Sequence, residues 1–243
     1  MQCSAQSVPT TTALVELYTS EGCDSCPPAD RWLSSLGGKG YTRDRVVPIA
    51  LHVDYWDYIG WKDPYARQAF SARQRKMAAL ARAAVVYTPQ VLLQGRDFRA
   101  WRGEGTPGST FGEEVAKINA RPAKARIALL LDTRRRDVFE VEASAELLDP
   151  RQQADAALYL GSYENKLVSE VKAGENRGKT LPHDFVVLQW AGPLEFKAAK
   201  LLQRQRLALL PKAVPANSGV VAFVQNRASG EVLQALMVPA CPG

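Results

Sequence analysis

Cys23 and Cys26 are separated by two residues, Asp24 and Ser25, immediately after an apolar run (ALVELY, Ala13–Tyr18) and immediately before a helix-like segment. Two thiols at that spacing can close a small disulfide ring. A thiol at the start of a helix is stabilised as thiolate by the free N–H groups and partial positive charge there. The pattern predicts Cys23 as the exposed, attacking thiol and Cys26, one turn deeper, as the resolving thiol. Proline is tolerated only in the first turn of a helix, so Pro27 and Pro28 place the helix start close to Cys26. Asp24 opposes the helix terminus electrostatically, and Cys23 is expected to be less acidified than in strongly oxidising pairs.

Other residues bear on the same chemistry. Glu16 lies inside the apolar run before Cys23. Burial of a carboxylate is costly and raises its pKa, which suits Glu16 as a proton acceptor for Cys26; the alternative is a salt-bridged structural glutamate. His52, followed by Asp54, ends a second apolar run (VVPIALHV, Val46–Val53). It is placed to stabilise a thiolate, to join a metal site, or to act as a structural histidine. Tyr55, Trp56, Tyr58, Trp61 and Tyr65 crowd one loop with Asp54, Asp57 and Asp63. They read as a lid or substrate platform, with Trp56 and Trp61 as binding residues, or as packing between two domains. A set of Cys23, Cys26 and His52 would suit Cu(I) or Zn, which gives a copper- or zinc-handling protein as the second reading. The third is a non-catalytic binding scaffold whose disulfide is structural. The leading reading needs no metal and no organic cofactor.

The elements that must hold these residues follow from periodicity. Residues 1–12 read as a loose lead. Ala13–Tyr18 and Val46–Val53 read as buried strands, and Ala29–Leu36 as a helix. Asp63-Pro64 reads as a helix cap with proline at the first position, opening a helix that runs to about Ala84 with Phe70, Met77, Leu80 and Ala81 as its apolar stripe. Val91–Gln94 and Phe98–Trp101 read as short strands, and Ser109–Ala120 as a helix. This order of strands and helices is that of thioredoxin. In such folds a cis-proline precedes the strand facing the cysteine pair, and Pro89, in Tyr87-Thr-Pro-Gln90, occupies that place. The missing N–H of Pro89 and the backbone of Thr88 would leave room for a substrate peptide to pair. After Arg121-Pro122 the pattern becomes strands alone: Ala125–Leu131, Val138–Ala145, Ala156–Tyr163, Phe185–Ala191, Leu201–Leu209, Gly219–Asn226 and Val232–Val238. Gly174–His183 reads as a structured turn, with Asn176 and His183 bonding backbone groups, or else as a contact with the redox site. The expected fold is an α/β thioredoxin-like N-terminal domain (13–121, after the lead 1–12) followed by an all-β sandwich domain (122–243).

Cys3 and Cys241 lie at opposite ends of the sequence. Chain ends often meet in compact folds, so a Cys3–Cys241 disulfide is expected beside Cys23–Cys26; a lipid attached to Cys3 is the alternative. An even cysteine count favours an oxidising compartment. The N-terminus has no signal-peptide core, so a periplasmic or secreted protein with a trimmed signal is expected. The net charge of +6 is spread along the chain apart from Arg134–Arg136. No nucleic-acid module is present, and no apolar run approaches the ~18 residues of a membrane span.

The stretches VELYTSEGCDSCPPAD, LHVDYWDYIGWKDPYA, VYTPQVLLQG and GENRGKTLPHDFVV resemble an uncharacterised bacterial family of exported, thioredoxin-like proteins, domain of unknown function 1223. The resemblance covers nearly the whole chain. It implies a thioredoxin-like N-terminal domain and supplies no activity. The Asp-Ser spacer, the Pro-Pro after Cys26, the aromatic insertion and the added β-part depart from typical thioredoxins. The function expected is a thiol–disulfide oxidoreductase acting on protein thiols or disulfides, with an unknown redox recycling partner.

Overall fold

The computed structural model describes residues 1–103, 110–135 and 137–241. Ser109, the expected start of the third helix, and Arg136 of the basic turn lie outside the described residues. Those described form fourteen strands and three α-helices. The first half contains β1 (Gln2–Gln6), β2 (Ala13–Thr19), α1 (Pro27–Ser35), β3 (Val46–His52), α2 (Gln68–Leu80), β4 (Gln90–Leu93), β5 (Arg96–Asp97) and α3 (Phe111–Asn119). The second contains β6 (Ala125–Asp132), β7 (Val138–Leu147), β8 (Ala156–Glu164), β9 (Leu167–Glu170), β10 (Thr180–His183), β11 (Val186–Glu195), β12 (Lys200–Ala208), β13 (Ser218–Asn226) and β14 (Val232–Pro239).

The chain is mostly β, and an α/β thioredoxin-like domain followed by a separate all-β sandwich does not describe it. Strands from both halves hydrogen-bond into one eight-stranded sheet, ordered β14-β13-β8-β11-β3-β2-β4-β5. The two halves join where β11 runs parallel to β3, with Val186 opposite Ala50. The physical reason lies in β3 itself. Every residue of this strand is buried, and an exposed edge there would leave a row of backbone donors and acceptors unpaired; β11 covers that edge.

β2 runs parallel to β3 and antiparallel to β4. Side chains alternate across a strand, so β2 feeds two cores. Ala13, Val15 and Leu17 pack with Leu33 of α1 and Val115 of α3. Leu14 and Tyr18 face the other way, toward Phe70 and Met77 of α2 and the aromatic rings of β8 and β13. A third core lies between β8, β13, β14 and a second sheet ordered β1-β6-β7-β12, with Ile127, Phe139, Leu160 and Val220 at its centre.

Two local expectations change. Residues 2–6 are not a loose lead: β1 pairs antiparallel with β6, and Cys3 is disulfide-bonded to Cys241 across 238 residues. Its sulfur is therefore not free to carry a lipid. The helix expected from Pro64 starts only at Gln68, because the Asp63 carboxylate is engaged by His52 and by the backbone of Glu21 and Tyr65. Along α2, Arg73 and Gln74 are buried while Ala81 is exposed.

Candidate functional site

The chain leaves β2 at Thr19 and turns through Ser20-Glu21-Gly22 into the cysteine pair. Cys23 N–H donates to the Ser20 carbonyl (3.2 Å) and Cys26 N–H to the Cys23 carbonyl (3.2 Å). The Cys26 carbonyl accepts from Ala29 and Asp30 (2.9 and 3.2 Å), so Cys26 caps α1 while Pro27 and Pro28 fill the first turn. Cys23 and Cys26 form a disulfide. Gly22 lets the aromatic loop close onto this turn: a Cβ there would stand 3.1 Å from Trp56 Cβ and 3.2 Å from Ile59 Cδ1.

The motif alone predicts an exposed Cys23, but the structure buries it: Cys23 is 1% accessible and Cys26 0%. The cover is the segment 171–179 between β9 and β10. The buried Asn176 amide donates to the Glu21 and Cys23 carbonyls (2.8 and 2.9 Å), and its oxygen accepts from Lys179 Nζ (2.8 Å). Glu175 accepts the Asp24 N–H at 3.1 Å. Asn176 thus bonds backbone groups, and those groups belong to the cysteine turn. His183 instead bonds a side chain, Glu21.

Glu16 is turned away from the cysteines. As an even-numbered β2 residue it shares the α2 face with Tyr18, opposite the face that carries α1. There it makes a two-toothed ion pair with buried Arg73 (2.6 and 3.0 Å) and accepts from the Tyr18 hydroxyl (3.0 Å). The Arg73 guanidinium lies 4.9 Å from the Phe223 ring centroid and 5.1 Å from that of Tyr159, and also donates to Gln225 (3.0 Å). Burial pushes the Tyr18 phenol well up, and the Glu16 charge adds to this. Glu16 therefore holds the two halves together rather than serving Cys26.

Pro89 stands at the end of β2: Gln90 is opposite Tyr18, and the Thr88–Pro89 bond is cis. The Thr88 hydroxyl accepts the Trp56 Nε1–H at 2.7 Å, and Trp61 Nε1–H donates to Glu21 Oε2 at 2.8 Å. Both indoles are half-buried and polar-anchored, and they tie the aromatic loop down over the site.

His52 comes to the same side as the cysteine turn, with partners the sequence reading missed. Its Nδ1–H donates to Asp63 Oδ2 (2.7 Å), an oxygen that also accepts the Glu21 N–H (2.9 Å). His183 Nε2–H donates to Glu21 Oε1 (3.1 Å). Asp30 lies one helical turn beyond Cys26 on α1, where Thr19 Oγ1–H donates to Oδ2 (3.2 Å). One ligand atom each from Asp30, His52 and His183 lies within 4.8 Å of the others, and all three residues are buried. Burial pushes the Asp30 carboxyl up, against the pull of the two imidazoles. Burial also works against a charged His52, but the Asp63 carboxylate outweighs it and raises the imidazole above its usual range. Burial likewise works against a charged Asp63, and the His52 imidazole overcomes it and lowers the carboxyl. With both sulfurs in a disulfide, a Cys23–Cys26–His52 metal set is not assembled in this state. The signal for the missing members was the four-residue spacing of Cys26 and Asp30, which puts them on one helix face. His183 was marked only as part of the Gly174–His183 stretch, whose contact with the cysteine turn is made through Glu21, and nothing local marks Glu21.

A family model described as a protein of unknown function, DUF1223, matches residues 14–225. Among solved structures, the chain is similar to protein AGR_C_4864 from Agrobacterium tumefaciens, with a TM-score of 0.60, 22% identity and 96% of each chain covered. It is also similar to HBP35 of Porphyromonas gingivalis, with a TM-score of 0.66, 13% identity, and 96% of this chain and 76% of that one covered. At those identities the likeness is one of fold. No curated protein matches. Among the described residues no helix is long and apolar enough to cross a membrane.

Proposed function

We propose, from the premise that the chain belongs to the DUF1223 family of proteins of unknown function, that Cys23–Cys26 is the thiol–disulfide exchange centre of an exported protein, reached when segment 171–179 lifts. The observation that carries this reading is a disulfide closed at the first turn of α1 under a cover fastened by side-chain hydrogen bonds. Such fastenings open more readily than a packed core.

A thiolate of a substrate dithiol attacks Cys23 Sγ. The Cys23–Cys26 bond breaks, Cys26 leaves as a thiolate and takes up a proton, and a mixed disulfide joins Cys23 to the substrate. The second substrate thiolate attacks its own half of that bond and releases Cys23. Two electrons have then moved from the substrate, now a disulfide, to the cysteine pair, now a dithiol. The reverse sequence reduces a substrate disulfide. The α1 N-terminus favours the Cys23 thiolate throughout, and Pro89, lacking an N–H, leaves the Thr88 backbone at the end of β2 for an extended peptide. Two disulfides in one chain support an oxidising compartment.

The burial of both cysteines favours a second reading, a binding scaffold with a structural disulfide. The reduction potential of the pair separates the two. An exchange centre is expected between about −270 and −120 mV, with Cys23 alkylated after mild reduction; a potential below about −300 mV with Cys23 protected means a structural bond.

A further inference from the structure

The mechanism above leaves unused a group of buried polar residues beside the cysteine turn. His52 Nε2 and His183 Nδ1 are buried and have no hydrogen-bond partner among the described residues. In each ring the other nitrogen donates to a carboxylate, His52 Nδ1 to Asp63 and His183 Nε2 to Glu21. That arrangement fixes the tautomer of each neutral ring, with the lone pair on its unpartnered nitrogen. The rings stand edge to face with centroids 5.0 Å apart, and Asp30 completes the cluster.

We infer that Asp30, His52 and His183 form a binding site for one zinc ion, held through His52 Nε2, His183 Nδ1 and an Asp30 carboxylate oxygen. An imidazole whose remote N–H is anchored to a carboxylate is the usual support of a metal-bound histidine, and here it occurs twice. Asp30 is oriented in turn by the Thr19 hydroxyl. Two borderline imidazole nitrogens with one carboxylate oxygen suit Zn²⁺. Too few oxygens are present for Ca²⁺ or Mg²⁺, and no thiolate is free to select Cu(I) while the disulfide stands.

Burial points the same way. Asp30, Asp63 and Glu21 are all buried around the two rings, and a cation bound between Asp30 and the rings would satisfy both unpartnered nitrogens. The site also gives the two family-like stretches a shared purpose. HVDYWDYIGWKDPYA supplies His52, Asp63 and the Trp61 that anchors Glu21, and the end of GENRGKTLPH supplies His183.

The site is independent of the thiol reading, and its test keeps them apart. The oxidised, chelator-treated chain is loaded with one equivalent of Zn²⁺ and its metal content measured; one zinc per chain is expected. The sequence has only two histidines, so ¹⁵N-histidine NMR resolves four ring nitrogens. His52 Nε2 and His183 Nδ1 should move on loading while the other two keep their protons. Asp30→Ala and His183→Ala should weaken binding at least 100-fold, and Asp63→Asn and Glu21→Gln by about 10- to 100-fold. The Cys23→Ser/Cys26→Ser double variant should bind as the wild type does. No bound zinc in the wild type, or a shift at the wrong ring nitrogens, overturns the assignment. So does zinc that survives Asp30→Ala and His183→Ala but is lost with the cysteines. The wild-type spectrum decides even where a variant fails to fold.

Discussion

Asn176→Ala removes the donor that fastens segment 171–179 over the cysteine pair. Asn176 is fully buried and its amide bonds two carbonyls at once, that of Glu21 and that of Cys23, the latter also accepting from Cys26 N–H. A net intramolecular hydrogen bond is worth about 0.5–1.5 kcal/mol, and an acceptor left buried without a partner costs about 1–3 kcal/mol. Water entering the space left by the side chain recovers part of this, so the closed cover should lose about 2–4 kcal/mol. If opening is a fast pre-equilibrium, the open fraction rises roughly 30- to 700-fold, since 1.4 kcal/mol is a factor of ten. The assay is the rate of Cys23–Cys26 reduction by a dilute dithiol, followed by quenched alkylation and mass spectrometry. The rate should rise by that factor. Glu175→Ala removes only the exposed bond to the Asp24 N–H and should change the rate less than about fivefold, as exposed polar contacts contribute under about 1 kcal/mol. If Asn176→Ala folds normally and is reduced no more than about threefold faster than the wild type, the segment is not the gate and the reasoning fails.

The Glu16–Arg73 pair gives a second prediction. Arg73→Met should cost about 3–5 kcal/mol in urea denaturation because Glu16 is left buried without its partner, whereas Glu16→Leu/Arg73→Met should regain most of the loss; equal losses in the two variants would show that the ion pair is not the issue. A third concerns alkaline pH. Burial pushes the Tyr163 phenol up to about 12, against about 10 in an unfolded chain. Below pH 10 both states keep the proton and this contribution to stability is fully present. Between pH 10 and 12 only the folded state holds the proton, so stability falls as pH rises. Between pH 9 and pH 11 the loss from this group is about 1 kcal/mol, and Tyr163→Phe should show a correspondingly shallower drop in urea midpoint. Identical drops would mean that Tyr163 does not carry this linkage.

Much of the local structure was legible. β6 reads as a strand because its residues alternate inward and outward, and β2 and β3 read as buried strands because nearly every position is apolar. The cysteine turn was legible because two thiols and two prolines in six residues permit little else. What escaped is non-local. The pairing of Val186 with Ala50 joins segments 136 residues apart, and a hydrophobic pattern marks a strand without naming its neighbour. Arg73 falls outside the apolar stripe of Phe70, Met77, Leu80 and Ala81, and nothing local shows it to be buried because its partner Glu16 belongs to another element. Asp63 looked like a helix cap because Asp-Pro is the local signature of one, while its carboxylate is spent on a histidine eleven residues away. His183 and Glu21 meet across 162 residues, and no spacing rule reaches that far.

The Cys3–Cys241 bond makes the chain between those residues a closed covalent ring. Tension applied through segments beyond Cys3 and Cys241 runs from one sulfur to the other and bypasses the fold, so neither sheet bears the load. A machine that threads polypeptides from a free end would meet, while the bond is oxidised, a loop it must pull through double-stranded. Reduction of that one bond turns a mechanically shielded protein into one that can be unravelled from either end. It does so without touching the sheets, the cysteine turn or the buried histidines.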